Sequence, residues 1–183
     1  ALDLPLIGRS EAVRFDPPEF SNNIPVGTRE GIEKPDVVCV HATARQAKRW
    51  SNEAWVALGR ELSVRGYQVV LPWGNSAEKI ISAELSQQIP NALVPPAFTI
   101  EDAFKVIAGA SLTVGVDTGL THLAAVLGLP TVEIYCDSPR WKTEGYWSTH
   151  IRNVGDIGAP PDATQVINAS IALLNCSAEN LRN

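Results

Sequence analysis

From residue 36 onward, short apolar runs alternate with longer stretches in which apolar residues recur every three or four positions. The short runs predict buried strands at 37–40, 67–71, 92–94, 110–114 and 131–135. The periodic stretches between them predict helices at 51–66, 76–88, 99–109 and 118–128. Strands that alternate with helices at this spacing indicate βαβ units. The pattern therefore predicts an α/β, Rossmann-like parallel sheet with helices on both faces.

The two ends of the chain follow this pattern less closely. Residues 1–35 show no sustained period and contain five prolines, which predicts an extended linker from a preceding domain. An edge strand at 151–154 and a last helix begun by Asp162 complete a domain at 36–175, and 176–183 form a C-terminal tail. The sequence contains no Met, which fits a fragment of a longer protein.

The segment from Gly115 to His122 is the most informative one, because it joins a predicted strand to a predicted helix. Asp117 stands where the helix cap is expected, and Thr118, Gly119 and His122 would then lie at the helix N-terminus. In an open α/β sheet this edge binds anions, since free backbone N–H groups and the helix dipole favour negative charge.

Two simpler interpretations compete with an anion site. Asp117 could be only a helix cap, and His122 only a polar residue on the flank of the helix. Asp-Thr-Gly is also the signature of aspartic proteases. Here, however, the tripeptide occurs once and a helix follows it, which argues against an all-β protease.

Composition narrows the function classes. Lys and Arg number 15 against 20 Asp and Glu, and this net charge of −5 argues against non-specific binding of nucleic acid. No apolar run approaches the ~20 residues of a membrane span. The three cysteines are widely spaced and form no CxxC pair, so we expect reduced thiols rather than a disulfide framework.

Polar side chains follow the predicted strands, at one edge of the predicted sheet. After the first strand, Arg45, Lys48 and Arg49 predict a site for a pyrophosphate, although a solvated basic loop would have the same composition. After the second strand, Glu78 suits the paired hydroxyls of a ribose, because a carboxylate accepts hydrogen bonds and a diol donates them. Trp50 and Trp73 are interpreted as packing residues.

Several nucleotide-binding motifs are missing. The first βα turn has no G-x-G-x-x-G, the sequence has no G-x-x-x-x-G-K-[ST], and it has no Asp-x-Asp pair of the metal-dependent glycosyltransferases. The histidines and cysteines do not lie at metal-ligand spacing. We therefore expect a nucleotide-diphosphate site without a metal cofactor.

Three motifs in order resemble the C-terminal half of the heptosyltransferases of glycosyltransferase family 9, which have the two-domain GT-B architecture. They are HATARQAKRW at 41–50, LPWG at 71–74 and VDTGLTHL at 116–123, within a resemblance that covers about 36–175. The D-[TS]-G-x-x-H pattern indicates the wider family, and the first motif points to its type I members.

The resemblance implies transfer of L-glycero-D-manno-heptose from ADP-heptose to the Kdo residue of lipid A, in lipopolysaccharide inner-core biosynthesis. The reaction would proceed with inversion and without metal or other cofactor, in the cytoplasm at the inner face of the inner membrane of a Gram-negative bacterium. The general base and the lipid acceptor site would belong to an N-terminal domain that this fragment lacks. The fragment alone would then be inactive, and the whole enzyme would associate peripherally with the membrane.

The resemblance also assigns roles to single residues. Thr43 and Lys48 would contact the diphosphate, and Lys48 would offset the charge on the leaving ADP. Glu78 would take the ribose hydroxyls, and the chain at Phe98 would border the adenine. The phosphates and the heptose would be held by Asp117, Thr118, Gly119 and His122.

Two departures from the family pattern affect this assignment. Ala44 stands in the substrate-binding loop where the family often carries a second hydroxyl, so one phosphate contact is lost. The segment 136–139, Cys-Asp-Ser-Pro, replaces the usual Gly-Pro-Thr turn.

The alternative function is a non-catalytic module that binds ADP or a nucleotide sugar, or a family 9 transferase with another donor or acceptor.

Overall fold

A computed structural model describes residues 36–97 and 99–180 of the 183-residue chain. The predicted linker at 1–35 and Phe98 lie outside the described residues. The strands are β1 (Asp36–Val40), β2 (Gln68–Val70), β3 (Leu112–Val116), β4 (Thr131–Tyr135) and β5 (Ile151–Gly155). The helices are α1 (Asn52–Val64), α2 (Ser76–Ser86), α3 (Ile100–Ala108), α4 (Gly119–Val126) and α5 (Ala163–Asn180).

The five strands form one sheet in the order β2-β1-β3-β4-β5, and every adjacent pair is parallel. The predicted α/β fold is therefore confirmed. The chain runs outward from β1 to β2 and then returns to β3 on the other side of β1. The loops after β1 and β3 consequently flank the point where the strand order reverses, which is where ligands bind in open α/β sheets.

Hydrophobic side chains cover both faces of the sheet. In β1, Val37 and Cys39 belong to a core that includes residues of α1 and α5, whereas Val38 and Val40 pack on the other side with residues of α3 and α4. Since successive residues of a strand point to opposite faces, a strand covered on both sides reads as a continuous apolar run. The prediction of helices on both faces is confirmed.

Several boundaries differ from the prediction, and β2 is one residue shorter at each end. The predicted strand at 92–94 is reduced to a single bridge between Leu93 and Val70, because Pro95 and Pro96 follow and have no N–H to continue the pairing. β3 begins and ends two residues later than predicted. α5 continues to Asn180, so the boundary predicted at 175 falls inside this helix.

The helix starts agree with the sequence except at α4. Ser51 accepts a hydrogen bond from the backbone N–H of Ala54, and Thr99 forms a capping box at the start of α3. Asp117 does not cap α4, because the N-cap is Thr118 and the Asp117 carboxylate is engaged by other side chains. That part of the prediction is wrong.

Gly115 allows α4 to lie close to the sheet. A Cβ atom at this position would overlap the hydroxyl of Thr121 and would stand 2.9 Å from the Cβ of Val40. Thr121 is fully buried, and its hydroxyl donates to the carbonyl of Val116 at 2.8 Å, so it cannot move aside freely. A side chain on residue 115 would push the N-terminus of α4 away from β3.

We predict that Gly115→Ala lowers the free energy of unfolding by about 1–3 kcal/mol, as expected for an overpacked interior. Urea denaturation measures this change. Gly119→Ala is the matched control for stability, because a Cβ at Gly119 meets no atom within 4 Å. It should leave stability unchanged or raise it by up to about 1 kcal/mol. Equal stability of wild type and Gly115→Ala would contradict the close approach.

Candidate functional site

A cleft of about 410 Å³ opens beside the loop that follows β1. His41, Thr43 and Arg49 line it from this loop, and Glu78 and Ile81 line it from α2. Thr43 is buried, whereas Ala44 beside it is exposed and offers no polar side chain. The structure thus brings Thr43 and Glu78, which are far apart in sequence, to one cleft at the edge of the sheet.

The Glu78 carboxylate also stabilises the start of α2. One of its oxygens accepts a hydrogen bond from the backbone N–H of Gly74 at 2.7 Å. The side chain of Asn75 in turn accepts from the backbone N–H of Glu78 at 3.0 Å. These reciprocal bonds orient the Glu78 side chain. A carboxylate has about four acceptor positions, so it can also accept from a bound diol.

His41 is a buried residue of this cleft. Burial lowers the pKa of His41 to about 4; the charge of Glu78 partly opposes this shift, and the charge of Arg49 adds to it. Its Nε2 lies 2.7 Å from the hydroxyl of Ser82 on α2. The His41 ring is therefore neutral at pH 7, and its contact with the buried Ser82 hydroxyl joins the loop after β1 to α2.

Lys48 crosses from the β1 side of the sheet edge to the β3 side. It ends a short 3-10 helix at Gln46–Lys48, and its Nζ donates to Oδ2 of Asp117 at 2.5 Å. The lysine side chain is 21% exposed and the aspartate only 7%. The interpretation of Lys48 as part of a solvated loop is therefore wrong, because this ammonium is paired with a buried carboxylate.

The other two basic residues of the loop remain more open to solvent. Arg45 donates to the Asp137 carboxylate at 3.3 Å, and both side chains are substantially exposed. This contact joins the loop after β1 to the segment that departs from the family turn. Arg49 is exposed and borders the cleft. The predicted basic cluster is thus gathered at one edge, with only Lys48 drawn inward.

Asp117 accepts hydrogen bonds from three side chains. Lys48 donates to Oδ2, His122 contacts Oδ1 at 2.8 Å, and the hydroxyl of Thr143 donates to Oδ1 at 3.3 Å. Burial acts to raise the pKa of Asp117, but the neighbouring side chains, with Lys48 first and Ser138 and His122 after it, outweigh burial and lower the pKa to about 2. Asp117 is therefore an ionised carboxylate at neutral pH.

His122 lies between two carboxylates. Its Nε2 faces Asp117, and its Nδ1 lies 3.0 Å from Oε1 of Glu133. The hydrogen bond to Glu133 raises the pKa of His122, burial opposes this, and the bond to Asp117 adds to it. His122 is therefore bonded between two carboxylates that favour its protonated form, rather than being an unengaged flank residue.

Glu133 is a residue that sequence reasoning missed. It is fully buried in β4, where it also accepts from the Tyr135 hydroxyl at 2.9 Å and from the backbone N–H of Gly145 at 3.1 Å. A signal was present in the sequence. Charged residues are almost never fully buried unless they are paired, and this glutamate interrupts the apolar run 131–135.

The N-terminus of α4 completes the edge. The Thr118 side chain makes no capping hydrogen bond to the helix backbone and lies 3.2 Å from the Thr121 hydroxyl instead. Gly119 is exposed and has open space around it. The first N–H groups of a helix have no intrahelical partner, so the start of α4, next in sequence to the Asp117 that pairs with Lys48 and His122, is suited to bind an anion.

Two aromatic residues of the motifs are held by packing, as predicted. The indole N–H of Trp50 donates to the carbonyl of Pro161 at 2.8 Å, and its ring contacts Trp55 edge-on at 5.0 Å. The indole N–H of Trp73 donates to the carbonyl of Pro95 at 2.8 Å. Phe98, expected at the adenine, is outside the described residues.

In the described parts of the chain, 36–97 and 99–180, no group of three His, Cys, Asp or Glu residues is placed to hold a metal ion. All three cysteines are free thiols, with Cys39 and Cys136 buried and Cys176 exposed.

Comparisons with known proteins agree on one family. The profile of "Glycosyltransferase family 9 (heptosyltransferase)" matches residues 8–170. Lipopolysaccharide heptosyltransferase 1 of Pseudomonas aeruginosa is 35% identical over 127 residues, which cover 69% of this chain and 36% of that protein. The enzyme of the same name from Escherichia coli K12 is 35% identical over 116 residues, or 63% and 35% of the two chains.

Solved structures give the same result. The E. coli heptosyltransferase WaaC with ADP has a TM-score of 0.67 at 30% identity, over 79% of this chain and 44% of that one. The E. coli ADP-heptose LPS heptosyltransferase II has a TM-score of 0.69 at 25% identity, over 80% and 48%. The chain spans about a third of the curated relatives and less than half of these solved chains.

We predict that Lys48→Met lowers the free energy of unfolding at pH 7 by about 1–3 kcal/mol, because it leaves the buried Asp117 carboxylate with one donor fewer. The pKa of Asp117 in the folded chain is about 2, below its usual 3.8. Its contribution is therefore complete above pH 4 and is lost as the pH falls toward 2. The difference between wild type and variant should shrink over the same range.

Urea denaturation between pH 7 and pH 3 measures this difference. Lys105→Met is the matched control, because Lys105 pairs with Glu101 on the exposed surface of α3. It should change stability by no more than about 0.5 kcal/mol. A loss in Lys48→Met that is no larger than in Lys105→Met would show that the Asp117 pair does not stabilise the fold.

Proposed function

The chain belongs to glycosyltransferase family 9, and from this membership we propose that it is the ADP-heptose-binding half of a heptosyltransferase. The enzyme would transfer L-glycero-D-manno-heptose to Kdo of lipid A in lipopolysaccharide inner-core biosynthesis. The observation that carries the proposal is the meeting of Lys48, His122 and the N-terminus of α4 beside the cleft that holds Thr43 and Glu78.

The diphosphate of the donor would lie across the point where the strand order reverses. Lys48 and Thr43 would contact it from the loop after β1, and the N–H groups at Thr118 and Gly119 would contact it from α4. Lys48 would donate to the diphosphate from this edge, and His122 would offset the charge of the two carboxylates beside it. With this donor and the N-terminus of α4 in place, we propose that the site holds the diphosphate without a metal ion.

The rest of the donor would extend in two directions from the diphosphate. Glu78 would accept hydrogen bonds from the ribose hydroxyls in the cleft, and the chain at Phe98 would border the adenine. Asp117 and His122 would hold the heptose and the phosphate next to it. The exposed Ala44 would leave one phosphate oxygen to solvent.

Lys48 would act on the chemical step as well as on binding. The bond between the heptose and the β-phosphate oxygen breaks with its electron pair passing to that oxygen, and negative charge grows on the departing ADP. An ammonium aimed at this oxygen stabilises the transition state more than the bound donor. The acceptor hydroxyl would attack from the opposite face and invert the anomeric centre, and its proton would pass to a base in the other half of the enzyme.

The lipid acceptor suggests where in the cell the whole enzyme would work. We propose that it works at the cytoplasmic face of the inner membrane, where it would meet a lipid-anchored sugar by peripheral association. In the residues that the structure describes, no helix is long and apolar enough to cross a bilayer.

For donor recognition, we predict that ADP binds more tightly than 2′-deoxy-ADP by about 1–3 kcal/mol, the value of a hydrogen bond to a charged group. Isothermal titration calorimetry measures both affinities. Glu78→Gln should reduce this difference, because an amide accepts fewer and weaker hydrogen bonds from the ribose. Glutamine retains the helix-capping contact to Gly74, so the fold should persist.

Glu84→Gln is the control on the same helix, since Glu84 is exposed and does not line the cleft. It should preserve the full preference for ADP. Equal affinities for the two nucleotides in wild type would remove Glu78 from the ribose site. The same titrations with EDTA and with added Mg²⁺ should give one affinity, and a strong Mg²⁺ requirement would refute the metal-free site.

For catalysis, we predict that Lys48→Ala lowers kcat by about 10²-fold in an enzyme that contains both halves, with a smaller change in donor affinity. Lys48→Arg should recover part of the rate, because a planar fork does not reproduce a compact ammonium. Turnover of ADP-heptose with the lipid acceptor measures both. Lys105→Ala, on the exposed surface of α3, should keep the wild-type rate.

The outcome also separates the alternatives. A wild-type rate for Lys48→Ala would make Lys48 a structural charge alone. ADP binding by the chain together with no transfer by the two-domain enzyme would favour a non-catalytic module, or another donor or acceptor.

A further inference from the structure

Glu133 occupies a position where a charge is costly. It stands in the middle of β4, opposite Gly115 of β3 and Asn153 of β5, and its side chain is fully removed from solvent. Three donors surround its two oxygens: the hydroxyl of Tyr135, the backbone N–H of Gly145 and the ring of His122. Because burying a polar group is costly unless it is hydrogen-bonded, these three donors are what allow a carboxyl group at this position.

The geometry around His122 fixes its protonation. Each ring nitrogen lies within 3.0 Å of a carboxylate oxygen, Nδ1 of Glu133 and Nε2 of Asp117. An ionised carboxylate only accepts hydrogen bonds, so each nitrogen must carry a proton to make its contact. A neutral imidazole has one N–H and could satisfy only one of the two carboxylates.

We propose that Glu133 is a positioning residue that fixes the ring of His122 and keeps both of its nitrogens protonated at the donor site. The ring then presents a permanent positive charge next to Lys48 and the first turn of α4. The part of this proposal that concerns ligand binding rests on the proposed function. The protonation of His122 stands on the structure of the chain alone.

The charged groups around the ring come from three elements. Asp117 faces it from the end of β3 and Glu133 from β4, and Lys48 reaches Asp117 from the loop after β1. The Tyr135 hydroxyl and the Thr143 hydroxyl donate to the two carboxylates, one to each. Burial raises the pKa of Tyr135, so its phenol keeps its proton and remains a donor to Glu133. Lys48 and His122 together balance the charges of Asp117 and Glu133.

Glu133 has a second effect, on the loop beyond β4. By accepting from Gly145 it holds the segment that follows the short 3-10 helix at Arg140–Lys142. The same segment supplies Thr143, which donates to Asp117. One buried carboxylate therefore orders both the histidine ring and a loop that contacts the same aspartate.

The first test uses wild type alone. Nitrogen-15 chemical shifts of the histidine rings report whether one or both nitrogens carry a proton, and His122→Asn assigns the signals among the three histidines. At pH 7.5 we expect His122 to show two protonated nitrogens. A single protonated nitrogen at this pH would overturn the proposal, whatever the variants do.

The second test uses Glu133→Gln, which keeps the size of the side chain and its contacts to Tyr135 and Gly145 but removes the charge. The pKa of His122 should fall, so that the ring titrates at a lower pH than in wild type. Glu61→Gln removes a surface carboxylate that pairs with Arg65 and should leave the titration unchanged. An unchanged His122 titration in a folded Glu133→Gln chain would overturn the positioning role.

The third test measures ADP affinity in wild type and in Glu133→Gln between pH 6 and pH 8. At each pH, the dissociation constant of Glu133→Gln is divided by that of wild type. The titration of ADP itself affects both constants and cancels in this ratio. We expect this ratio to rise by about tenfold across the range, because the variant loses its ring charge as the pH rises. A ratio that is constant with pH would refute the link between Glu133 and the ligand.

The three tests separate the two proposals. If ADP does not bind to wild type, the proposed function fails, while the ring titration still decides whether Glu133 holds His122. If ADP binds and the ring is neutral, the donor site stands and the role of Glu133 falls.

Discussion

The burial of two carboxylates determines how the site is built. Asp117 and Glu133 are almost completely removed from water, and each would be strongly destabilising without cationic or donor partners. Lys48 and His122 supply the positive charge, and they come from the β1 loop and from α4. The need to compensate two buried charges therefore brings together segments that are far apart in the sequence. The resulting row alternates in sign from Lys48 to Glu133.

These paired charges also determine where the loop after β1 lies. Lys48 belongs to a 3-10 helix of three residues with no buried side chain, which has little packing of its own. Its ion pair with Asp117 anchors this segment across the edge of the sheet. Family membership and charge placement thus point to the same location, since the residues that compensate Asp117 are also those that would face an anionic donor.

Much of the fold follows from the sequence, because the apolar periods of strands and helices are strong here. β1, β4, β5 and the starts of α1 and α3 agree with their predicted positions. The end of β3 did not, because Gly115 reads as a turn residue. Its small size instead serves the contact with Thr121 of α4, which is a tertiary constraint. Local pattern carries no information on such an approach.

In the candidate site, too, some residues could be predicted from the sequence and others are determined by tertiary contacts. Thr43, Asp117 and His122 were predicted from the motifs, and Glu78 from its place after the second predicted strand. The structure places Thr43 and Glu78 in one cleft and joins Asp117 to His122 by a hydrogen bond. Glu133 escaped notice because its neighbours in sequence made the segment look like an ordinary core strand. The partner of Lys48 was also hidden, since 69 positions separate it from Asp117. Contacts of that separation are set by topology.

The hydrogen bond from Trp50 to Pro161 has a consequence for the order in which the molecule forms. It joins the segment after β1 to the segment before α5, across 111 positions of the chain. During synthesis, residue 50 leaves the ribosome long before residue 161 is available to meet it. Contacts of such long range are formed late, because closing the intervening loop costs entropy that only the assembled sheet can offset. The final position of the loop that carries Lys48 therefore depends in part on a contact that can form only after the chain has been made as far as residue 161.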